Sequence, residues 1–221
     1  MHVRREPVAP ERVVLATRND GKRRELAEML EPLGIGVLTL TDAGVARSAD
    51  EESIEQFDTF EDNALAKARY YFARCGLPTL ADDSGLAVDA LGGRPGVHSK
   101  RWSGRRELDG RALDEANIGA LLVALDGVRV RTARFICVAA YVDGTREVHR
   151  RGEVSGRILD APSGDGGFGY DPLFHSDALG VTLAEAGSQE KGTVSHRARA
   201  MRALCDALGW SVGDAEDAAG H

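Results

Sequence analysis

Pro78-Thr79-Leu80-Ala81-Asp82-Asp83-Ser84-Gly85-Leu86-Ala87-Val88 opens the stretch, Pro78 to Gly104, around which the rest of this 221-residue chain is arranged. An apolar run, Leu77 to Ala81, delivers two adjacent carboxylates to a glycine, and Leu86-Ala87-Val88 resumes as a second apolar run. The pattern predicts a strand that ends in acid. Successive side chains of a strand point to opposite faces, so Asp82 and Asp83 aim apart unless the backbone bends at Gly85. Only one of the two is therefore expected to do chemistry. Taken alone, Asp-Asp-Ser-Gly also suits a strand-end turn whose carboxylates bond nearby backbone N–H groups. The flanking segments decide between these readings.

Upstream, Val13-Val14-Leu15-Ala16 is a compact β-rich run followed at once by Thr17-Arg18-Asn19-Asp20-Gly21-Lys22. Leu26, Met29, Leu30 and Leu33 then recur at helical spacing, closed by Gly34. A helix that begins there leaves N–H groups unpaired at a positive dipole end, and Lys22 adds a full charge, which together make a phosphate cradle. The P-loop spacing is absent. Val37 to Leu40 predicts a second strand, and Asp50 to Glu55 an acidic surface loop. A helix is expected from Thr59, with Leu65, Ala68, Phe72 and Cys75 as its buried stripe and Lys67 off it, either in solvent or facing a cleft. Gly76 and Pro78 stop that helix.

Downstream, Leu91 to Gly96 is a turn-rich loop leading into His98, Lys100, Arg101, Trp102, Arg105 and Arg106, a basic patch that either lines a cleft or, by a slight preference, lies on the surface. Ile118, Leu121, Leu122 and Leu125 mark another helix. Arg134 to Val142 and Glu147 to Val154 flank Asp143-Gly144, a hairpin signature. Glycines return at Gly164 to Gly169, and a last helix is expected with Ser195 as N-cap and Met201, Leu204, Cys205 and Leu208 inward.

Six segments in this order resemble the inosine/xanthosine triphosphate pyrophosphatase family: Ala16-Thr17-x-Asn19-x-x-Lys22, Asn63-Ala64-x-x-Lys67-Ala68, Ala81-Asp82-Asp83-Ser84-Gly85-Leu86, Gly92-Gly93-x-Pro95-Gly96, Gly167-Phe168-Gly169-Tyr170-Asp171-Pro172 and Ser195-His196-Arg197. The resemblance runs from about Val13 to Leu208 and implies an α/β fold with a long mixed central sheet flanked by helices, and two lobes around a substrate cleft. It implies hydrolysis of ITP, dITP and XTP to the monophosphate and pyrophosphate with Mg2+. Asp83, Lys22 and Lys67 are then catalytic, and Asp83 and Glu55 hold the metal. Thr17, Arg18, Asn19, Asp20, Gly21 and Lys22 take the triphosphate, with Ser84 beside it. Phe168, Gly169, Tyr170, Asp171, Lys191, His196 and Arg197 recognise the purine. This chain departs from the family pattern at Asp62, where Glu is usual, and at Phe57, where Gly is usual, which leaves the loop around Glu55 open.

A 6-keto purine presents O6 as acceptor and N1–H as donor, so donors from Arg197 or His196 and a carboxylate such as Asp171 match it, with Phe168 stacked on the ring. The alternatives are a pyrophosphatase of other base specificity and a catalytically silent nucleotide-binding protein.

Composition sets the bounds. With 43% hydrophobic and 29% charged residues, the chain is of ordinary soluble composition. One domain is expected over 12–210, with 1–11 and 211–221 as loose tails. The net charge of −7 argues against broad binding to nucleic acid or to anionic membrane, so a phosphate ligand has to meet a local cation cluster. The longest apolar run, Phe135 to Val142, is too short to span a bilayer. Cys75, Cys137 and Cys205 lie far apart and form no zinc or disulfide pattern, which fits a cytoplasmic setting. The resemblance adds a homodimer.

Overall fold

The computed structural model describes residues 9–210, apart from the side chains of residues 52 and 188. Of the expected tails, 1–8 and 211–221 lie outside the described residues. Residues 9–11 are tied to the fold: Glu11 O accepts from Gly36 N at 2.8 Å, and Ala9 packs on the core that holds Trp210.

In chain order the regular elements are β1 (Arg12–Leu15), α1 (Asp20–Leu30), β2 (Gly36–Leu38), α2 (Phe60–Cys75), β3 (Thr79–Val88), α3 (Gly110–Ala124), β4 (Thr132–Val142), β5 (Glu147–Ile158), β6 (Phe174–Ser176), α4 (Ser188–Val194) and α5 (His196–Leu208). The six strands form one sheet in the order β2-β1-β3-β4-β5-β6. β2, β1 and β3 run parallel, and the remaining pairs are antiparallel, so the sheet is mixed as expected. The helix starts follow from their caps. Asn19, Thr59 and Ser195 each accept a hydrogen bond from an N–H of the first turn, a contact worth about 1 kcal/mol each. Thr59 Oγ1 also donates to Asp62 Oδ2 at 2.7 Å, so the Asp62 departure keeps a closed cap.

Alternation along β3 and β4 divides the core. Leu80, Cys137, Ala139 and Tyr141 face α1 and α5, whereas Ala81, Ile136, Val138 and Ala140 face α2. A third cluster gathers the far ends of β3, β4 and β5 with α3, Leu173 and Phe174.

Three expectations are corrected. The acid does not end a strand: Asp82 and Asp83 sit in the middle of ten-residue β3, still paired with β4 at Ala139 and Val138. The buried face of α2 is Phe60, Asn63, Ala64, Lys67, Ala68 and Tyr71, so Lys67 lies on the stripe, and Leu65, Phe72 and Cys75 are only half-buried. Helix α4, short and polar, stands where no element was expected.

What positions the site is a split between strands. β1 runs beside β3 only through Val14↔Thr79 and Leu15↔Leu80, and the last bond across is Ala16 N to Leu80 O at 2.8 Å. Beyond it the chain leaves the sheet as Thr17 to Asn19, while β3 continues. The carboxyl end of a parallel strand beside such a split is where open α/β sheets receive ligands.

Candidate active site

Asp82 and Asp83 point to opposite faces, yet both border the split. Asp82 is fully buried on the α1/α5 side, where its Oδ2 meets Lys22 Nζ at 3.0 Å and accepts from Arg197 Nε at 3.1 Å. Despite burial, the charges of Lys22, Arg197 and Lys67 hold its carboxyl far below the usual carboxylate range, so it stays ionised. Asp83 lies on the α2 side. Its Oδ1 accepts from Ser84 N at 3.0 Å, and its buried Oδ2 has no protein partner. Burial, reinforced by the Glu55 carboxylate and opposed by Lys67 and Lys22, pushes its pKa up to about 6.

Lys67 reaches the same edge from α2. Its Nζ donates to the carbonyl of Asp82 at 2.8 Å and pairs with Glu55. Its carboxylate neighbours overcome burial and raise its pKa, so the cation persists. Burial pushes Glu55 up, but Lys67, Lys22 and Lys100 together draw it down, so it remains a carboxylate. The loop carrying Glu55 is held by Asn63, which accepts from Phe57 N at 2.9 Å and donates to Phe57 O at 3.1 Å. Phe57 is thus accommodated without positive φ, which answers the question raised by the missing glycine.

The first loop is partly engaged already. Asn19 caps α1 through Lys22 N, and Asn19 N bonds Thr17 Oγ1 at 3.2 Å. Asp20, exposed, pairs with Arg23. Arg18 is turned to Glu51 through two bonds of 2.6 and 2.7 Å, away from an open phosphate role. Gly21 is bare because Phe168 lies on it: a Cβ there would sit 2.6 Å from the phenyl Cδ1. This contact joins the Thr17 to Lys22 loop to the glycine-rich loop.

At the other end, Phe168 stands 5.8 Å from Lys191 Nζ and 5.7 Å from the Arg197 guanidinium, within cation–π range. Lys191 bonds Asp171 Oδ2 at 2.7 Å and Glu25 at 3.2 Å. Arg197 is wholly buried; besides Asp82 it bonds Glu25 and donates to Ser84 Oγ at 3.0 Å, leaving one hydrogen on each terminal nitrogen. Glu25 and Asp82 therefore border the candidate site, where the sequence reading gave neither a role; the signal for Glu25 was its position one turn after Lys22. His196 stacks on Phe135 at 4.7 Å, and burial beside Arg197 holds its pKa well below the usual value, so it is neutral with Nδ1 free of protein partners. Asp171 accepts from Phe168 N, and Gly169 N donates to Asp114 Oδ2 at 2.8 Å, which anchors the loop. Tyr170 departs from expectation: it is buried in the third core cluster and donates to Ser99 O, so it supports the loop from behind.

A groove of about 1080 Å³ opens between α1, α4, α5 and the glycine-rich loop, reaching Phe168 and Lys191 but not Asp83 or Glu55. The acid-and-lysine cluster lies outside that groove and is distinguished by its charges rather than by concavity. Among the described residues no group of three or more His, Cys, Asp or Glu side chains could enclose a metal. The unpartnered Oδ2 of Asp83 beside Glu55 nevertheless fits a hard, oxygen-bound cation whose remaining positions come from phosphate and water.

A family model described as "Ham1 family" matches residues 13–207. The chain is similar to a dITP/XTP pyrophosphatase of Geobacter sulfurreducens, 48% identical over 90% of this chain and 97% of that protein. Among solved structures it is similar to a HAM1 protein from Coxiella burnetii, with TM-score 0.76, 36% identity and coverage of 90% and 99%. A nucleoside-triphosphatase / dITP/XTP pyrophosphatase from Mycobacterium abscessus gives TM-score 0.66, 42% identity and coverage of 87% and 98%.

Proposed function

The chain belongs to the Ham1 family, and from that premise we propose that it hydrolyses non-standard purine nucleoside triphosphates, ITP, dITP and XTP, to the monophosphate and pyrophosphate. The observation that carries the reading is convergence: Lys22, Glu55, Lys67 and Asp83, from separate segments, meet at the split between β1 and β3. Similarity to curated dITP/XTP pyrophosphatases supports the substrate class.

Asp83 and Glu55 would hold Mg2+, which when bound neutralises phosphate charge and stabilises the leaving pyrophosphate. Asp83 orients or deprotonates the water that attacks the α-phosphorus. Lys67, fixed by the Asp82 carbonyl, and Lys22, fixed by Asp82 itself, stabilise charge on the transferring group, while Thr17, Asn19 and the first turn of α1 receive the triphosphate. At the base end Phe168 stacks on the purine. The neutral His196 and the spare hydrogens of Arg197 address its edge, and Asp171 acts through Lys191. Adenine, with donor and acceptor reversed, would leave those groups unpaired, which supports discrimination of roughly 10⁴-fold. The active unit is one domain over 12–210, working in the cytoplasm as a homodimer.

Incubation with Mg2+ and a nucleotide panel, scoring pyrophosphate apart from orthophosphate, tests the reading. Pyrophosphate from ITP and XTP, with GTP and ATP far slower, is the expected result. Equal turnover of GTP and ITP would refute the specificity, and binding without turnover would refute catalysis.

A further inference from the structure

We propose that Arg18 is a positioning residue of the hydrolase: its forked pair with Glu51 clamps the Thr17 to Lys22 loop onto the segment that carries Glu55, so that phosphate donors and metal carboxylate keep a fixed spacing. This rests on the hydrolase reading above and gives Arg18 a role in which it never meets the triphosphate.

The direction of Arg18 follows from β1. Val14 and Ala16 face the α2 side of the sheet, in the cluster that holds Leu40, Val45, Ile54 and Tyr71. Side chains two residues apart along an extended chain share a face, and Arg18 reaches that same side. There its Nε donates to Glu51 Oε2 at 2.7 Å and its Nη2 to Glu51 Oε1 at 2.6 Å, with a longer bond from Nη2 to Val45 O at 3.4 Å. A planar two-bond fork fixes orientation as well as distance, which a single contact from an ammonium does not. The side chains of Arg18 and Glu51 are only 27% and 14% exposed, which sets the pair apart from freely solvated surface bridges.

Glu51 is itself held. Its Oε1 also accepts from Ser48 N at 3.2 Å, closing a capping box on the 3-10 turn Ala49–Ser53. Arg74 of α2 donates to Asp50 Oδ2 of the same turn at 3.2 Å. Ile54, directly after the turn, is buried in the α2 cluster, and Glu55 follows it to pair with Lys67. Past Glu55, Asn63 grips the Phe57 backbone. Glu55 thus lies between two anchors, and the one formed by Arg18 leads straight to the phosphate loop. That loop is braced by Phe168 at Gly21 on its base side and by Arg18 on its metal side.

Wild type, Arg18→Ala, Arg18→Lys, Glu51→Ala and the double variant Arg18→Ala/Glu51→Ala are compared in ITP kinetics, in thermal melts and in calorimetric titration with inorganic pyrophosphate plus Mg2+. Misplacing a reacting group by about 1 Å can cost on the order of 10²-fold in rate, so a loosened spacing is expected to lower kcat/KM about tenfold and to weaken Mg2+-pyrophosphate binding several-fold. Arg18→Ala and Glu51→Ala should lose equally, and the double variant no more than either, because both remove one interaction. Arg18→Lys keeps the charge without the fork and should fall close to Arg18→Ala. Arg23→Ala, which breaks an exposed pair with Asp20, should match wild type. A direct phosphate contact by Arg18 predicts the reverse: Arg18→Lys would hold most of the affinity, and Glu51→Ala, by freeing the guanidinium, would bind pyrophosphate as well as wild type or better. Either result, multiplied losses in the double variant, or a lowered Tm with unaltered kinetics would overturn the Arg18 assignment and leave the hydrolase reading intact. A wild type that neither binds pyrophosphate nor releases it from any triphosphate would overturn both.

Discussion

Asp83 is held in an ionised form that its surroundings resist, because burial and the facing Glu55 carboxylate outweigh two lysines. A folded-state pKa of about 6 against an unfolded value of 3.8 means the charge costs stability above about pH 6 and costs nothing below about pH 4. Asp83→Asn should therefore raise stability in metal-free buffer by about 2–3 kcal/mol at neutral pH, a gain that fades as pH falls toward 4. The same variant should lower kcat by about 10²-fold or more. Denaturant melts at several pH values and steady-state kinetics check both halves, and normal turnover would remove Asp83 from its role. Asp82 has the opposite sign. Its carboxylate neutralises Lys22 and the wholly buried Arg197, so Asp82→Ala should destabilise the fold by about 3 kcal/mol or more. The sequence showed that the two adjacent acids would point to opposite faces. It did not show Arg197 as the partner of Asp82, because that contact spans 115 positions and no local spacing encodes it.

At the scale of elements, α2 supplies two polar groups from its buried face, Asn63 and Lys67, one helical turn apart. Sequence periodicity missed this face because it counts apolar residues, whereas Lys67 is buried by satisfying its charge on Glu55 and the Asp82 carbonyl. The caps at Thr59 and Ser195 and the hairpin at Asp143 were legible, since each is set by residues a few positions apart. Asn63 holds both polar groups of the Phe57 backbone. Asn63→Ala should cost about 1–3 kcal/mol and, by loosening the loop that carries Glu55, raise the Mg2+ concentration needed for half-maximal activity several-fold. A thermal melt and a metal titration measure the two effects; a destabilised variant with an unaltered metal requirement would separate the loop from metal binding.

Across the whole molecule, β3 and β4 run through all three core clusters, so no cluster can open without disturbing the β3–β4 ladder that the others share. The two tryptophans report on different regions: Trp210 is buried with α1 and α5, and Trp102 packs on the cluster with α3. Urea titrations of Trp102→Phe and Trp210→Phe, each referred to its own circular dichroism curve, should give coincident fluorescence and dichroism midpoints. Separated midpoints would mean that the two regions unfold independently. The fold class was readable from strand and helix alternation, but the place where β1 leaves β3 was not, because both segments are equally apolar there and only their unequal lengths create the opening.

Phe168 rests on Gly21, and this contact bears on how the protein tolerates change. A single methyl group at position 21 would shove the aromatic ring aside and disturb its approach to Lys191 and Arg197. On the hydrolase reading, fidelity toward the nucleobase is then hostage to a residue the nucleobase never meets, and drift in one loop is constrained by the shape of another far along the chain.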